Sequence, residues 1–262
     1  MPRIVQSLIN GKSVASNLPK IPKVYPGNGE ILAEIEPATD AMLDEAVAAA
    51  TEAQKKWYAM ESFARGRILV KAAELMRENL EELSRLEVQD VGKAYNEAFG
   101  ADVLSGADAL EYFGSLCQTN RGEMFRYDNV VAYTEKVPIG VCAGIGAWNF
   151  PAQIACWKAA PALAAGNAFI LKPSELTPLV NHKIADILTQ AGVPDGLFQI
   201  LHGNYNIGRS ICAHPGIGKI SLTGGVSTGK MIMQQSASTL KKVTLELGGK
   251  SPLIGKVFSL NR

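Results

Sequence analysis

Two rhythms divide the chain. Between about residues 39 and 116, apolar side chains recur every three or four positions, the spacing that gathers them on one side of a helix. Thr39-Asp40 can cap a first helix whose apolar face carries Leu43, Ala46, Val47, Ala50 and Trp57. A second helix is expected from about Ser62 through Leu86, with Ile68, Leu69, Ala72, Leu75, Met76, Leu80 and Leu83 on one side. A third covers about Glu97 to Leu116. Stripes of this kind are core packing. The residues up to about 37 mix Pro, Gly and Asn with short apolar runs and predict loops and small strands. From Val137 the rhythm changes. The runs VPIGVCAGIG, NAFILKP, GLFQILHG, KISLTG and KKVTLELG are apolar almost throughout and predict five strands. Helices are expected between them at about 151–164, 177–191, 204–213 and 226–237. Continuous apolar strands alternating with helices predict an α/β fold, a doubly wound parallel sheet covered on both faces. Crossovers in such a sheet are right-handed, so ligands gather at the carboxyl ends of the strands.

Composition narrows the function classes. The 262 residues include 47% apolar and 19% charged side chains, ordinary values for a globular protein. A net charge of +1, with Lys and Arg spread out, provides no field to recruit nucleic acid or an anionic membrane. No stretch approaches the ~20 apolar residues of a membrane-spanning helix, and the N-terminus lacks a signal-peptide pattern. Cys117, Cys142, Cys156 and Cys212 are far apart and form no metal or redox spacing. Reduced thiols and a cytoplasmic location are therefore expected. His182, His202 and His214 sit in unrelated contexts and do not suggest a metal centre.

Candidate chemistry lies just past the strands. Gly224 to Lys230 reads G-G-V-S-T-G-K, which fits seven places of a phosphate loop; the eighth, where Ser or Thr would hold a metal, is Met231. No strand ends in the acidic residue a triphosphatase also needs. The turn suits phosphate nonetheless, because glycines admit backbone amides and a helix begins there; a ligand-free turn is the other reading. Lys172-Pro173-Ser174-Glu175 follows the second strand. Lys172 and Glu175 can hold ribose hydroxyls, or Ser174 can simply cap the next helix. Glu246 lies in an apolar run beside Gly248. A buried carboxylate there would have a raised pKa and suit a general base; an edge-strand Glu facing water is the alternative. Asn149, between Trp148 and Phe150, can donate its amide to a developing oxyanion or be an ordinary turn residue.

As a set, WNFP, ALAAGNAFILKPSELTP, GVPDGLF, ISLTGGVSTGK and VTLELGGKSP resemble the aldehyde dehydrogenase superfamily in content and order. GADALEYFG and GIGAWNFPAQIACWKAAPALAAGN are most similar to its betaine-aldehyde branch. The resemblance implies NAD-dependent oxidation of an aldehyde, betaine aldehyde foremost, to the acid. It implies Asn149 as oxyanion donor, Glu246 as the base that activates water, and Lys158 in a charge relay. It implies NAD contacts from Gly146, Ala147 and Trp148, from Lys172, Pro173, Ser174 and Glu175, and from Gly224, Gly225, Val226, Ser227 and Gly248. NADP use is allowed, because Lys172 can soften repulsion of a 2′-phosphate. Phe150 and Trp157 match aromatic positions near the substrate tunnel, where an aromatic wall suits a trimethylammonium group. A potassium ion is implied at the backbone of Val24, Asp90, Leu176 and Leu240, and a homo-oligomer for full-length relatives. The implied partner is a small aldehyde. The nucleophilic Cys that relatives carry after Glu246, in an F-x-x-x-G-Q-x-C setting, has no counterpart among the four cysteines. The expectation is therefore an N-terminal segment (1–136), a Rossmann-like NAD domain (137–254) and a divergent tail (255–262), with the catalytic domain missing and the chain inactive or limited to cofactor binding.

Overall fold

The computed structural model describes residues 2–119 and 121–255. It opens with five short strands, β1 (Arg3–Val5), β2 (Ser7–Ile9), β3 (Lys12–Val14), β4 (Ile21–Val24) and β5 (Ile31–Ile35). Helix α1 (Asp40–Ala59) follows, and the Thr39 side chain accepts the Met42 N–H as its cap. Trp57 near its end is fully buried and donates Nε1–H to the Leu163 carbonyl at 2.8 Å.

The expected second helix is two: α2 (Ser62–Glu78) and α3 (Leu80–Val91). Asn79 separates them. Its Nδ2 and backbone N–H both bond to the Leu75 carbonyl, a local alternative that ends the helix. The expected third helix also departs from prediction. A single turn, α4 (Tyr95–Glu97), passes through a π-helical stretch (Ala98–Asp102) into α5 (Val103–Leu116). That wide turn carries buried Asp102 inward to Lys93. A hairpin of β6 (Met124–Arg126) and β7 (Val131–Tyr133) then precedes the alternating half, and composition did not announce it.

The alternating half comprises β8 (Val141–Ile145), α6 (Pro151–Ala164), β9 (Ala168–Lys172), α7 (Leu179–Ala191), β10 (Phe198–Ile200), α8 (Tyr205–Ala213), β11 (Lys219–Gly224), α9 (Val226–Ala237) and β12 (Lys242–Leu247). The main sheet runs β12-β11-β8-β9-β10-β2-β3; its five strands from this half are parallel, and β2 joins antiparallel to β10. The chain steps outward from β8 through β9 to β10, then returns to the other side of β8 as β11. That reversal opens a crevice at the carboxyl ends of β8 and β11. Register sets which residues face it. Ile145 pairs with Lys172 and with Leu222, and Thr223 pairs with Glu246. The interior of β8 needs Gly144: a Cβ there would stand 2.5 Å from the Phe169 ring and 3.2 Å from the Lys158 stem. The main apolar core runs from α1, α2 and α5 through the sheet to α9, and a second, smaller cluster gathers Val5, Ala33, Ile35 and Leu179. Among the described residues, no helix is long and apolar enough to cross a membrane. Of the tail expected from 255, residues 256–262 lie outside the described residues.

Candidate functional site

A cleft of about 720 Å³ opens at the crevice. Gly146, Ala147, Trp148, Asn149 and Phe150 line it after β8, Lys172, Ser174 and Glu175 after β9, Gly224 and Gly225 after β11, and Glu246 and Gly248 at the end of β12. Trp157 lines it from α6. Pro173, Val226 and Ser227 are expected cofactor residues outside that lining; Pro173 is buried behind it, and Val226 and Ser227 are exposed on the first turn of α9.

Lys172 is buried, and its Nζ donates to the Pro173 carbonyl at 3.0 Å and to Glu175 Oε2 at 3.4 Å. Burial lowers its pKa and the Glu175 charge works against that. The pair is thus preassembled at the rim, with Glu175 half-exposed and an oxygen left to accept from a ligand. Ser174 does not cap α7. Its Oγ accepts the Leu176 N–H at 3.2 Å, and the helix starts only at Leu179. Asp90 of α3 caps it instead, accepting from Leu179 at 2.9 and 3.1 Å and from Val180 at 2.9 Å. Behind Lys172 lies His202, fully buried, its Nε2 2.8 Å from His182 Nε2. Burial holds both imidazoles neutral, His182 lowered to about 4 and His202 well below its ordinary value.

The glycine turn has room for a ligand. Gly225 has φ −75°, which any residue adopts, and an added Cβ would meet nothing nearer than Ser227 Oγ at 3.8 Å. Neither backbone strain nor packing therefore demands glycine at 225, whereas close approach of a ligand would. The N-terminus of the twelve-residue α9 opens beside it, an arrangement that suits the pyrophosphate of a dinucleotide. Lys230, the would-be phosphate clamp, is exposed on α9 and does not line the cleft.

Of the two readings of Glu246, the structure has the edge-strand one. The residue's strand is the edge of the sheet among the described residues, and the side chain is exposed. It lies where this cleft meets a second one, of about 420 Å³, which holds Lys158. Lys158 is buried and donates to Ser221 Oγ at 3.0 Å. Burial pushes its pKa down to about 8, while the Glu246 charge pulls upward. Near neutral pH such a lysine exchanges a proton readily. Asn149 is half-buried before α6. Phe150 already carries a cation on one face, the Lys93 Nζ at 3.9 Å from the ring centroid. Trp157 is 55% exposed and is held to α5 by Nε1–H donating to Ser105 Oγ at 3.1 Å.

The four cysteines are buried, and burial raises every thiol pKa: Cys142 and Cys212 to about 11, Cys156 to about 12, and Cys117 upward. Cys212 lines the cleft but is a protonated thiol there.

The residues implied for potassium do not fit a metal ion. The Lys23 ammonium donates to the Val24 carbonyl at 2.9 Å and to the Asp90 carbonyl at 2.7 Å. Leu176 sits on the loop before α7, and Leu240 on the turn before β12, 90% exposed and remote in the fold from β4.

Sequence reasoning missed Tyr205, Gly208 and Arg209, which close the cleft from α8. The carboxyl-end rule marks the start of α8 as a place to look, but these residue types carry no motif.

A model of the aldehyde dehydrogenase family matches residues 13–257. The chain belongs to the aldehyde dehydrogenase family. It is 52% identical over 235 residues to a betaine aldehyde dehydrogenase of Rhizobium etli, covering 89% of this chain and 48% of that protein. Among solved structures it is similar to PnpE of Pseudomonas sp. WBC-3 in complex with nicotinamide adenine dinucleotide, with a TM-score of 0.91 and 38% identity over 94% of this chain and 51% of that one. An Escherichia coli NADP dependent enzyme superposes with a TM-score of 0.90 at 35% identity, over 93% of this chain and 51% of that one. This aldehyde dehydrogenase chain thus spans about half the length of the relatives it matches.

Proposed function

We propose that the chain is the NAD-binding part of an aldehyde dehydrogenase whose reaction is NAD-dependent oxidation of an aldehyde, betaine aldehyde foremost, to the carboxylic acid. One observation carries this reading: a single cleft gathers the Lys172–Glu175 pair, the open glycine turn, Asn149 and Glu246. When bound, the nicotinamide ring accepts the hydride that leaves the substrate carbon. Glu175 accepts a ribose hydroxyl, Lys172 keeps that carboxylate in place, and the amides around Gly225 face the pyrophosphate. Asn149 donates its amide to the oxygen that gains charge. Glu246, open to water at the cleft edge, takes the proton of the water that releases the acid, and Lys158 beside it can receive or return that proton. In this reading residues 137–254 form the cofactor domain and 1–136 a supporting segment.

The thiol chemistry favours a narrower reading for the chain as it stands. A covalent step on the aldehyde needs a thiolate, and four buried thiols with raised pKa values do not supply one. The chain by itself therefore binds cofactor without turnover. Calorimetric titration with NAD and an assay for aldehyde-dependent NADH formation test both halves of this reading. Binding without NADH is the expected outcome. Absence of NAD binding removes the cofactor assignment, and NADH formation that Glu246→Ala abolishes removes the non-catalytic reading.

A further inference from the structure

The buried lysine of β4 has no part in the cofactor cleft, yet it is among the most confined charges in the molecule. Lys23 is 2% exposed. Its Nζ donates to two main-chain carbonyls from different parts of the chain, Val24 at 2.9 Å and Asp90 at 2.7 Å. Burying an ammonium is costly unless oxygen atoms and an opposite charge surround it. Both are present: the carbonyls point at Nζ, and the Asp90 carboxyl group attracts it. Burial raises the pKa of that carboxyl to about 7, while backbone N–H bonds from the start of α7 to both its oxygens and the Lys23 charge favour the ionised form. One cation is thus matched by one carboxylate.

Carbonyl oxygens converging beside a buried carboxylate are what a monovalent cation binds, and an ammonium group satisfies the same oxygens. We propose that Lys23 is a built-in cation, its ammonium standing where a potassium ion would otherwise bind between the carbonyls of Val24 and Asp90. The tether makes the difference. A free ion at this place would depend on its concentration in solution, whereas a lysine anchored in β4 is present at every ionic composition. A second monovalent charge beside it would have no carboxylate to balance it. To admit potassium, the lysine stem would have to leave its buried position. Lys23 thereby joins β4 to the end of α3, and Asp90 joins that end to the start of α7, making the support behind the Lys172–Glu175 loop independent of potassium.

Thermal unfolding of the purified 262-residue chain decides this, compared in potassium, sodium and choline chloride at one ionic strength of about 0.15 M. The unmutated chain is expected to melt at the same temperature in all three salts. Lys23→Ala is expected to melt lower in choline and to recover most of that loss in potassium. A midpoint for the unmutated chain that rises in potassium over choline overturns the proposal. So does a Lys23→Ala loss that is equal in all three salts. Should Lys23→Ala not fold, thallium-205 NMR of the unmutated chain decides instead, thallous ion being a potassium surrogate. No bound resonance is expected, and a bound resonance that potassium competes away overturns the assignment. None of these readouts involves the cofactor, so they stand or fall apart from the proposed function.

Discussion

Glu175 meets a dinucleotide as a hydrogen-bond acceptor and as a charge, and Glu175→Gln separates the two. A ribose 2′-hydroxyl donating to the carboxylate would lie at about 2.7 Å. A phosphate in its place brings about −1.5 to −2 charges to within about 4 Å of the carboxylate. Two unit charges at 4 Å repel by about 4 kcal/mol at an effective dielectric constant of 20 and by about 1 kcal/mol in bulk water. The Glu175 side chain is 41% exposed, which moves the penalty toward the lower figure, and the Lys172 ammonium 3.4 Å away offsets part of it. What remains is about 1–2 kcal/mol, or about five- to thirty-fold in favour of NAD over NADP. Gln keeps an acceptor oxygen and loses the charge. NADP should therefore bind about tenfold tighter to Glu175→Gln, while NAD affinity moves by less than about threefold. Calorimetric titration of both cofactors against both proteins reads this directly. Equal or tighter NADP binding by the unmutated chain, or an unchanged ratio in the variant, would show that Glu175 does not face the 2′ position.

Three further outcomes are expected. Glu87 is fully buried, and burial raises its pKa to about 8, so the folded state retains a proton that the unfolded chain releases above about pH 4.5. That group favours folding at low pH and loses its advantage as pH rises toward 8, opposing the neutral His182, whose contribution is lost as pH falls from 6.5 to about 4. Glu87→Gln removes the first effect, so urea-unfolding free energy should climb more steeply with pH between 5 and 7, by about 1 kcal/mol per pH unit; an unchanged slope would mean that Glu87 is ionised in the fold. Trp57→Phe shrinks a fully buried side chain and removes one of the N–H groups that the Leu163 carbonyl accepts, the Gly166 N–H remaining at 3.0 Å, for a loss of about 1–3 kcal/mol visible in the denaturation midpoint. Glu246→Gln should lower the Lys158 pKa further below about 8, followed by NMR of methylated lysines; no movement would place the two groups too far apart to share a proton.

Where sequence and structure agree, the pattern was local. α6 and α9 begin and end where the sequence rhythm placed them, α6 between the buried strands β8 and β9, and α9 between β11 and the exposed edge strand β12. Thr39 caps α1 as its type and position foretold. What could not be read depends on partners far along the chain. The start of α7 is held by Asp90, eighty-nine positions before Leu179, so of the two readings offered for this loop the local Ser174 cap does not hold. The exposure of Glu246 follows from its strand lying at the sheet edge, which periodicity does not encode. Lys23 reads as a surface lysine between Pro22 and Val24 until the Asp90 carbonyl is brought to it. The turn at Gly224 and Gly225 was legible as a place where the cleft lies, while Tyr205 and Arg209 joined its lining only once α8 folded over it.

The place of β2 in the main sheet has a consequence for synthesis on the ribosome. Leu8 pairs with Ile200, Ser7 Oγ accepts the His202 N–H at 3.0 Å, and the Gln199 side chain accepts from Asn10. The first strand of this sheet to be translated must therefore wait for some 190 later residues. At about 5–20 residues per second that wait is about 10–40 s. Helices α2 and α5 can pack on each other in that time, but β2 has only its hairpin neighbour β3 until β10 arrives. A nascent chain halted before residue 200 should therefore present its N-terminus to proteases and chaperones, and release of the halt should withdraw it.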